Sequence, residues 1–289
     1  MHRLGAIMVG VAAAVTGTAE VCRATPIAEE LLPGVVRYFA SPAAQTGAEP
    51  SVALVTPVEG TPIAVPSAGP VPTFAEGAGE WTVSVLVESG TSLYGTGMVT
   101  GPLERTGRFV ELYAQDAFAY GEQSTRLYQA HPWILGVRAD GTSFGVLFDS
   151  TWRSTIDTTD PLGQGIVFTT EGPAPPVIVI ERDHPREVVR TLAMLTGAPA
   201  LLPRWAIGFH QSRYQYEPQQ EVEDIATGFR IREIPADAIH IDIEYMDGYR
   251  VFTFDTAKFP DPAGMDARLD AMGFRTVWNV SPTVKVEPG

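Results

Sequence analysis

Residues 203–262 constrain the fold more strongly than any other stretch, because the spacing of their apolar side chains changes twice. Residues 205–210 form a short apolar run, residues 217–232 carry apolar side chains at helical spacing, and residues 238–243 form a second apolar run. Residues 274–280 repeat the strand pattern further along the chain. Strands that alternate with helices are typical of a parallel sheet or a β/α barrel. The functional site of a barrel lies where its strands end at their carboxyl side, so site residues are expected there.

Polar side chains alternate with isoleucines at the end of the second predicted strand. His240, Asp242 and Glu244 fall on one face of this strand, and the isoleucines fall on the other. Strands joined by crossover helices lie in parallel sheets covered on both faces, so a polar row there requires hydrogen-bonding partners. A functional cavity supplies such partners. A solvent-exposed strand face and a metal site built from these ligand types are the alternative interpretations.

The chain before residue 183 has the pattern of an all-β domain. Residues 81–88 alternate between apolar and polar side chains, and the pair Asp140-Gly141 predicts a type I′ hairpin. Frequent turns without helical periodicity predict an antiparallel β-sandwich over residues 25–182. Further short strands are predicted at residues 35–39, 51–56, 135–139, 143–148, 166–170 and 177–180.

Residues 183–202 predict a helix that links the sandwich to the following domain. Asp183 is the predicted N-cap, Pro185 suits the first turn, and Gly197 can end the helix. Residues 203–289 are then the start of the barrel. The predicted fold is a β-sandwich N-terminal domain followed by the first three strands of a (β/α)8 TIM-type barrel.

Residues 1–24 have the layout of a secretory signal peptide. A short basic start precedes an apolar run, and a small-residue region follows that could be cleaved after Ala19 or Ala24. We therefore expect export to the periplasm or the cell exterior, and a cytoplasmic location if this segment is not a signal. An apolar N-terminal strand is the alternative interpretation. Cys22 is the single cysteine, so the chain can form no internal disulfide.

Charge and motif content exclude several classes of function. The formal net charge is −14, whereas nucleic-acid binding requires a basic face, so no nucleic-acid partner is expected. No run after the N-terminal segment is long and apolar enough to span a membrane. The chain has no phosphate loop, CxxC pair or Ser/His/Asp order, and we expect neither a cofactor nor a metal.

Several motifs together resemble family 31 of the glycoside hydrolases, in its α-glucosidase branch. The barrel part carries RWAIGFHQSRYQY at residues 204–216 and IHIDIEYMDGYRVFTFD at residues 239–255. The sandwich part carries LYGTGMVTGPLERTG, LYAQDAFAY and LYQAHPW in the family's order. The resemblance runs from about residue 80 to the last residue. It implies that the partner is an α-glucoside or oligosaccharide, with glucose favoured over xylose.

The resemblance assigns substrate-binding residues one by one. Asp242 matches the carboxylate that holds the sugar undergoing cleavage, with His240 beside it, and Glu244 stands where the family usually has a second Asp. Asp116 matches an Asp on a loop that contacts the leaving sugar. The remaining matches, which the resemblance implies to be mainly architectural, are His131, Trp133, His210 and Arg213.

The family's catalytic residues have no counterpart in this sequence. Retaining hydrolysis uses one Asp as nucleophile and a second as acid and then base. In the family these follow the fourth and sixth barrel strands, the first within a motif resembling W-x-D-M-N-E. Only three barrel strands are predicted here, whereas a whole barrel takes roughly 250 residues. We therefore expect the N-terminal part of an α-glucosidase, inactive alone, whose candidate partner is the remaining barrel segment. A non-catalytic carbohydrate-binding or interaction protein is the alternative.

Overall fold

The computed structural model describes residues 22–281, apart from residues 52, 78 and 160–164, together with residue 286. The predicted signal peptide lies outside the described residues, except that the backbone of Cys22–Ala24 forms a strand. The chain divides into two compact units, Met1–Ala198 and Pro199–Gly289. The domain boundaries predicted at residues 183 and 203 stay predictions.

The first unit consists of two antiparallel sheets, of six and seven strands. The six-stranded sheet has the order β1-β5-β6-β12-β11-β8, and the seven-stranded sheet has the order β4-β2-β3-β13-β10-β9-β7. In chain order the elements are β1 Cys22–Ala24, β2 Ile27–Leu32, β3 Val35–Phe39, α1 Pro42–Thr46, β4 Thr61–Ile63, β5 Pro72–Gly77, β6 Glu80–Leu86, β7 Ser92–Gly97, β8 Phe109–Leu112, β9 Ala130–Val137, β10 Ser143–Phe148, β11 Ser154–Asp157, β12 Gly165–Thr170, β13 Val177–Arg182 and α2 Pro185–Thr196.

The two sheets share one apolar core, as the alternating strand patterns predict. Val83 and Val85 of β6 are fully buried in this core, which takes side chains from both sheets. Phe148 of the seven-stranded sheet stacks on Phe168 of the six-stranded sheet, with ring centroids 4.5 Å apart. The predicted antiparallel architecture of this unit is confirmed.

Helix α2 covers the outer face of the seven-stranded sheet. Every residue of β10 is buried, because its second face packs in a separate cluster with Val188 and Leu195 of the helix. The N-cap is His184 and not Asp183 as predicted: the Arg186 N–H donates to Nδ1 of His184 over 3.1 Å. His184 has the extended backbone of an N-cap, and the next residue, a proline, suits the first helical position.

Two predictions on local structure in this unit are wrong. The hairpin between β9 and β10 forms, but Gly141 alone of its turn pair has positive φ, whereas a type I′ turn needs both residues positive. Gly141 donates to the carbonyl of Arg138 and Arg138 to that of Thr142, each over 2.9 Å, which makes a three-residue loop. The described residues of 51–56 form no strand.

The second unit contains a parallel sheet of three strands among its described residues. The central strand, β15, pairs with both neighbours. Its isoleucines 239 and 241 are fully buried against apolar side chains of both helices, which explains the helical spacing seen in the sequence. In chain order the elements are β14 His210–Gln211, α3 Gln219–Ile231, β15 Ala238–Ile241, α4 Pro262–Ala271 and β16 Arg275–Trp278.

The predicted strands of this unit are longer than the observed ones. Half of the run at 205–210 lies in the 3-10 helix Arg204–Ile207, because the Ala206 N–H donates to the carbonyl of Pro203 over 2.9 Å. The strand predicted over 238–243 ends at Ile241, and the strand predicted over 274–280 is shortened to β16. An apolar run alone does not distinguish a strand from a helical turn.

We expect Gly136→Ala to destabilise the first unit by about 1–3 kcal/mol, the usual cost of overpacking a core. Gly136 lies opposite Phe144 in the sheet, and a Cβ atom at Gly136 would overlap the Phe144 ring, which is buried. Denaturant unfolding measures the loss. The matched control is Gly77→Ala, a strand glycine whose added Cβ meets nothing. Equal effects of the two changes would contradict this packing argument.

Candidate functional site

The carboxyl ends of the three parallel strands border a depression of about 540 Å3. Parallel strands end at the same edge of a sheet, so the residues that follow them converge there. The depression is therefore where the sequence analysis places the functional site. Its lining residues are Ser212, Arg213, Tyr214, His240, Ile241, Asp242, Val277, Trp278, Asn279 and Val280.

Asp242 stands at this edge directly after β15. Its Oδ1 accepts from the backbone N–H of Ile243 and from Nδ2 of Asn279, each over 2.9 Å. Asn279 follows β16, and its own N–H donates to the carbonyl of Ile241 over 2.8 Å. The carboxylate is thus held in one orientation by groups from two adjacent strands. The sequence analysis missed Asn279, although its position near the end of the strand predicted over 274–280 could have suggested it.

A chain of hydrogen bonds lies beside Asp242. Nδ1 of His210 is 3.1 Å from Nε2 of His240, and Nε2 of His210 is 3.1 Å from the carbonyl oxygen of Trp205. A carbonyl only accepts, so Nε2 of His210 carries the proton. When His210 is neutral, its Nδ1 accepts and Nε2 of His240 donates. The contact therefore selects one tautomer of each ring.

Burial lowers the pKa of His240 from its ordinary value of 6.5, and the neighbouring charge of His210 lowers it further. Both effects disfavour the protonated, positively charged form of His240. His240 is accordingly a neutral hydrogen-bond donor above that pH. This places an uncharged ring next to the carboxylate of Asp242.

Glu244 does not share a strand face with Asp242, contrary to the prediction. It lies in the 3-10 helix Ile243–Tyr245, because Asp242 caps that helix and ends the strand. Its side chain is buried and accepts from the Tyr249 hydroxyl over 3.0 and 3.1 Å, with Lys258 Nζ at 3.7 Å. The hydrogen bond to Glu244 raises the pKa of Tyr249. Glu244 is absent from the lining of the depression.

An aromatic cluster packs at the carboxyl edge of the parallel sheet. Tyr245 packs edge to face on Trp278, with centroids 4.8 Å apart, and its hydroxyl donates to the carbonyl of Asn279 over 3.0 Å. Phe254 and Phe259 complete the cluster around the same indole. Packing on several sides holds Trp278 at the depression and keeps Asn279 within reach of Asp242.

Asp116 belongs to the first unit and lies in the segment between β8 and β9. It is exposed, and it borders a second depression of about 460 Å3 with the exposed rings of Phe118 and Tyr120. Partial burial and a hydrogen bond to Asp116 raise the pKa of the Tyr128 hydroxyl. The structure therefore places Asp242 and His240 together and describes Asp116 separately, within its own unit.

Within the described part of the chain, no group of three or more His, Cys, Asp or Glu side chains is arranged to hold a metal ion. None of the described helices combines the length and the apolar character needed to cross a membrane.

Comparison with known proteins identifies both units. Residues 33–157 match the glycosyl hydrolase 31 N-terminal galactose mutarotase-like domain, and residues 199–289 match the glycosyl hydrolases family 31 TIM-barrel domain. The chain is 38% identical over 211 residues to alpha-glucosidase 2 of Bacillus thermoamyloliquefaciens, a match that covers 73% of this chain and 27% of that protein.

Solved structures agree. The family 31 alpha-glucosidase from Bacteroides thetaiotaomicron is 44% identical, with a TM-score of 0.64 over 72% of this chain and 35% of that one. The family 31 dextranase from Flavobacterium johnsoniae, solved with isomaltotriose, shares the fold at 20% identity, with a TM-score of 0.74 over 88% of this chain and 35% of that one.

The chain belongs to glycoside hydrolase family 31, because both domain matches are to that family and together take in most of its length. The resemblance recognised in the sequence motifs is confirmed. The chain spans about a quarter of the length of the curated relatives it matches, from 23% to 30% for three of them.

We expect His240→Gln to reduce the loss of stability on acidification. A histidine whose pKa is lowered by folding binds a proton more readily in the unfolded chain, so stability falls as the pH drops through the ordinary value of 6.5. The wild type should lose more unfolding free energy between pH 8 and pH 5 than the variant. The difference in unfolding free energy between the two proteins at pH 8 measures the loss of the hydrogen bond, and it is subtracted from the differences at lower pH. An identical pH dependence in both proteins would contradict the burial of this ring.

Proposed function

We propose that this chain supplies the sandwich domain and the first barrel strands of a retaining α-glucosidase-like hydrolase. In this proposal Asp242 holds the glucosyl residue that undergoes cleavage. The observation that carries the proposal is the oriented carboxylate of Asp242 in an open depression at the carboxyl edge of a parallel sheet. Enzymes of barrel architecture place their active sites at this edge.

The chemistry of Asp242 suits a sugar hydroxyl. Its Oδ1 is occupied by Ile243 and Asn279, and among the described residues none donates to Oδ2. An ionised carboxylate accepts several hydrogen bonds, so Oδ2 can accept from a substrate hydroxyl while Oδ1 keeps the group oriented. Contacts that strengthen as the sugar ring flattens lower the barrier to cleavage.

The residues that line the depression suit the binding of a saccharide, but they do not suffice for its hydrolysis. Retaining hydrolysis needs two carboxyl groups roughly 5–5.5 Å apart on opposite sides of the scissile bond. Asp242 is the one carboxylate among the described lining residues, and Glu244 is buried against Tyr249 and Lys258. The nucleophile and the acid/base of the proposed enzyme are therefore groups other than those that line this depression. Asp116 and His240 are proposed to contact substrate as well.

We expect Asp242→Asn to weaken the binding of maltose at the barrel site by about 10- to 150-fold, the cost of losing a hydrogen bond to a charged group. Calorimetric titration of the whole chain measures the affinity. The matched control is Asp247→Asn, an exposed carboxylate close in sequence that does not line the depression and should bind as the wild type does. Unchanged affinity in Asp242→Asn would refute the assignment.

An activity assay separates the enzyme from the alternative, a non-catalytic carbohydrate-binding protein. The whole chain is incubated with an aryl α-glucoside, alone and with a polypeptide that supplies the remaining barrel strands. Turnover that requires the added polypeptide, and that Asp242→Asn abolishes, supports the hydrolase. Saccharide binding without turnover in either mixture supports the non-catalytic alternative. The observation that favours this alternative is that only one carboxylate lines the depression among the residues that the structure describes.

We also propose that the N-terminal segment directs export and is cleaved after Ala19. The backbone of Cys22–Ala24 pairs with β5, so cleavage after Ala24 would remove the edge strand β1, whereas cleavage after Ala19 keeps it. N-terminal sequencing of exported material should therefore begin at Glu20. An intact Met1 in a cytoplasmic pool would contradict export, and a start at Thr25 would contradict the role of β1.

A further inference from the structure

A cavity of about 380 Å3 lies in the first unit, and the function proposed above does not involve it. Its volume falls in the range of small-molecule sites, roughly 300–1,000 Å3. Two tryptophans and two carboxylates line it: Trp81, Trp152, Glu49 and Asp149. Small-molecule sites characteristically combine aromatic walls with a few polar groups.

The walls of this cavity, which we call the Trp152 cleft, come from four separate segments: residues 41–51, residue 81, residues 149–152 and residues 173–176. Trp152 is 48% exposed, and its ring lies directly on the backbone of Gly172, where an added Cβ would overlap the indole. The side chain of Trp152 is thus in close contact with the main chain, and about half of the residue is exposed. An aromatic ring in this position presents a platform on which a flat apolar face can pack.

Asp149 provides the polar counterpart of the platform. It follows β10, and its N–H donates to the carbonyl of Pro176 over 2.9 Å, which places the residue in the wall. Burial raises the pKa of its carboxyl group, although the Ser51 hydroxyl and the charge of Arg37 oppose that shift. A partly buried carboxylate gains from further hydrogen-bond donors, and hydroxyl groups of a ligand can supply them.

The charge of the lining selects the class of ligand. Glu49 and Asp149 are its charged residues, and among the described residues no Lys, Arg or His contributes to it. Phosphates and other anions are therefore disfavoured. A neutral polyhydroxy compound or a cation remains, because an indole face and carboxylates can bind either one.

Two neighbouring depressions extend the Trp152 cleft. Depressions of about 420 and 540 Å3 share Asp149 with it, the first with His131 and Ser154 on its wall and the second with Glu29 and Arg37. The three depressions therefore adjoin one another at Asp149. A chain-like ligand can extend over adjoining depressions, whereas a compact organic cation needs only one of the three.

We propose that the Trp152 cleft binds a neutral oligosaccharide, with one sugar ring packed on Trp152 and its hydroxyl groups donating to Asp149. This site is distinct from the barrel depression, lies in the other unit, and contains no catalytic residue. It would hold a polymeric or oligomeric substrate on the protein independently of cleavage. The proposal does not depend on the hydrolase activity proposed above, because it concerns binding alone.

Titration of the whole chain with maltotriose tests the proposal. The variant Asp242→Asn retains the Trp152 cleft, so we expect it to keep one class of binding site for maltotriose. Adding Trp152→Ala or Asp149→Asn to this variant should weaken the remaining binding at least about tenfold. Trp152→Phe should restore part of the affinity, because the platform is retained. Phe109→Ala is the matched control, since Phe109 is an exposed aromatic residue of the same unit, 41% exposed, outside the cleft.

The same titrations separate the two sites. If Asp242→Asn alone removes all maltotriose binding, the Trp152 cleft is not a saccharide site and the proposal is overturned. If the Trp152 and Asp149 changes have no effect in variants whose thermal unfolding matches the wild type, it is also overturned. Binding of choline without binding of maltotriose would show a cation site and overturn the sugar assignment. Binding that persists in Asp242→Asn and is lost on adding Trp152→Ala or Asp149→Asn supports the proposal.

Discussion

The hydrogen bond from the N–H of Ile243 to Oδ1 of Asp242 determines the arrangement of the barrel site. It ends β15 and begins a 3-10 helix, since the side chain caps the backbone that would otherwise extend the strand. The same oxygen accepts from Asn279 after β16, which ties two strand ends together. The turn of the backbone also carries Glu244 away from the depression and into a buried network with Tyr249. One polar contact therefore separates a carboxylate that borders the depression from one that is buried in a hydrogen-bond network.

The first unit depends on a different constraint, which is burial of β10 on both faces. One face joins the core between the sheets, where Phe148 stacks on Phe168, and the other packs beneath α2. A strand covered on both sides holds the residue that follows it firmly, and that residue is Asp149. The position of the Trp152 cleft at the end of this strand follows from the same packing. Both candidate binding regions are thus placed where well-packed strands end, while the groups proposed to contact ligand lie in the following segments.

Family membership and residue roles rest on different observations. Motif strings placed the chain in family 31, and the domain matches agree with them. The role of each residue depends on its partners, and the structure corrects the prediction for one residue. Glu244 and Asp242 carry the same charge two positions apart, yet one is enclosed by Tyr249 and Lys258 and the other faces an open depression. Partnering distinguishes them, since a carboxylate already surrounded by donors has little capacity left for a ligand.

The sequence by itself determined the parallel sheet, the antiparallel sandwich and the place of Asp242 at a strand end. These follow from local periodicity, which burial of one face imposes on any strand or helix. The tertiary structure alone decided where β15 stops, that residues 205–207 are helical, and that Asn279 orients Asp242. It also assembled the Trp152 cleft from four segments far apart in the chain. Such convergence is a property of packing between distant segments, and no local pattern encodes it.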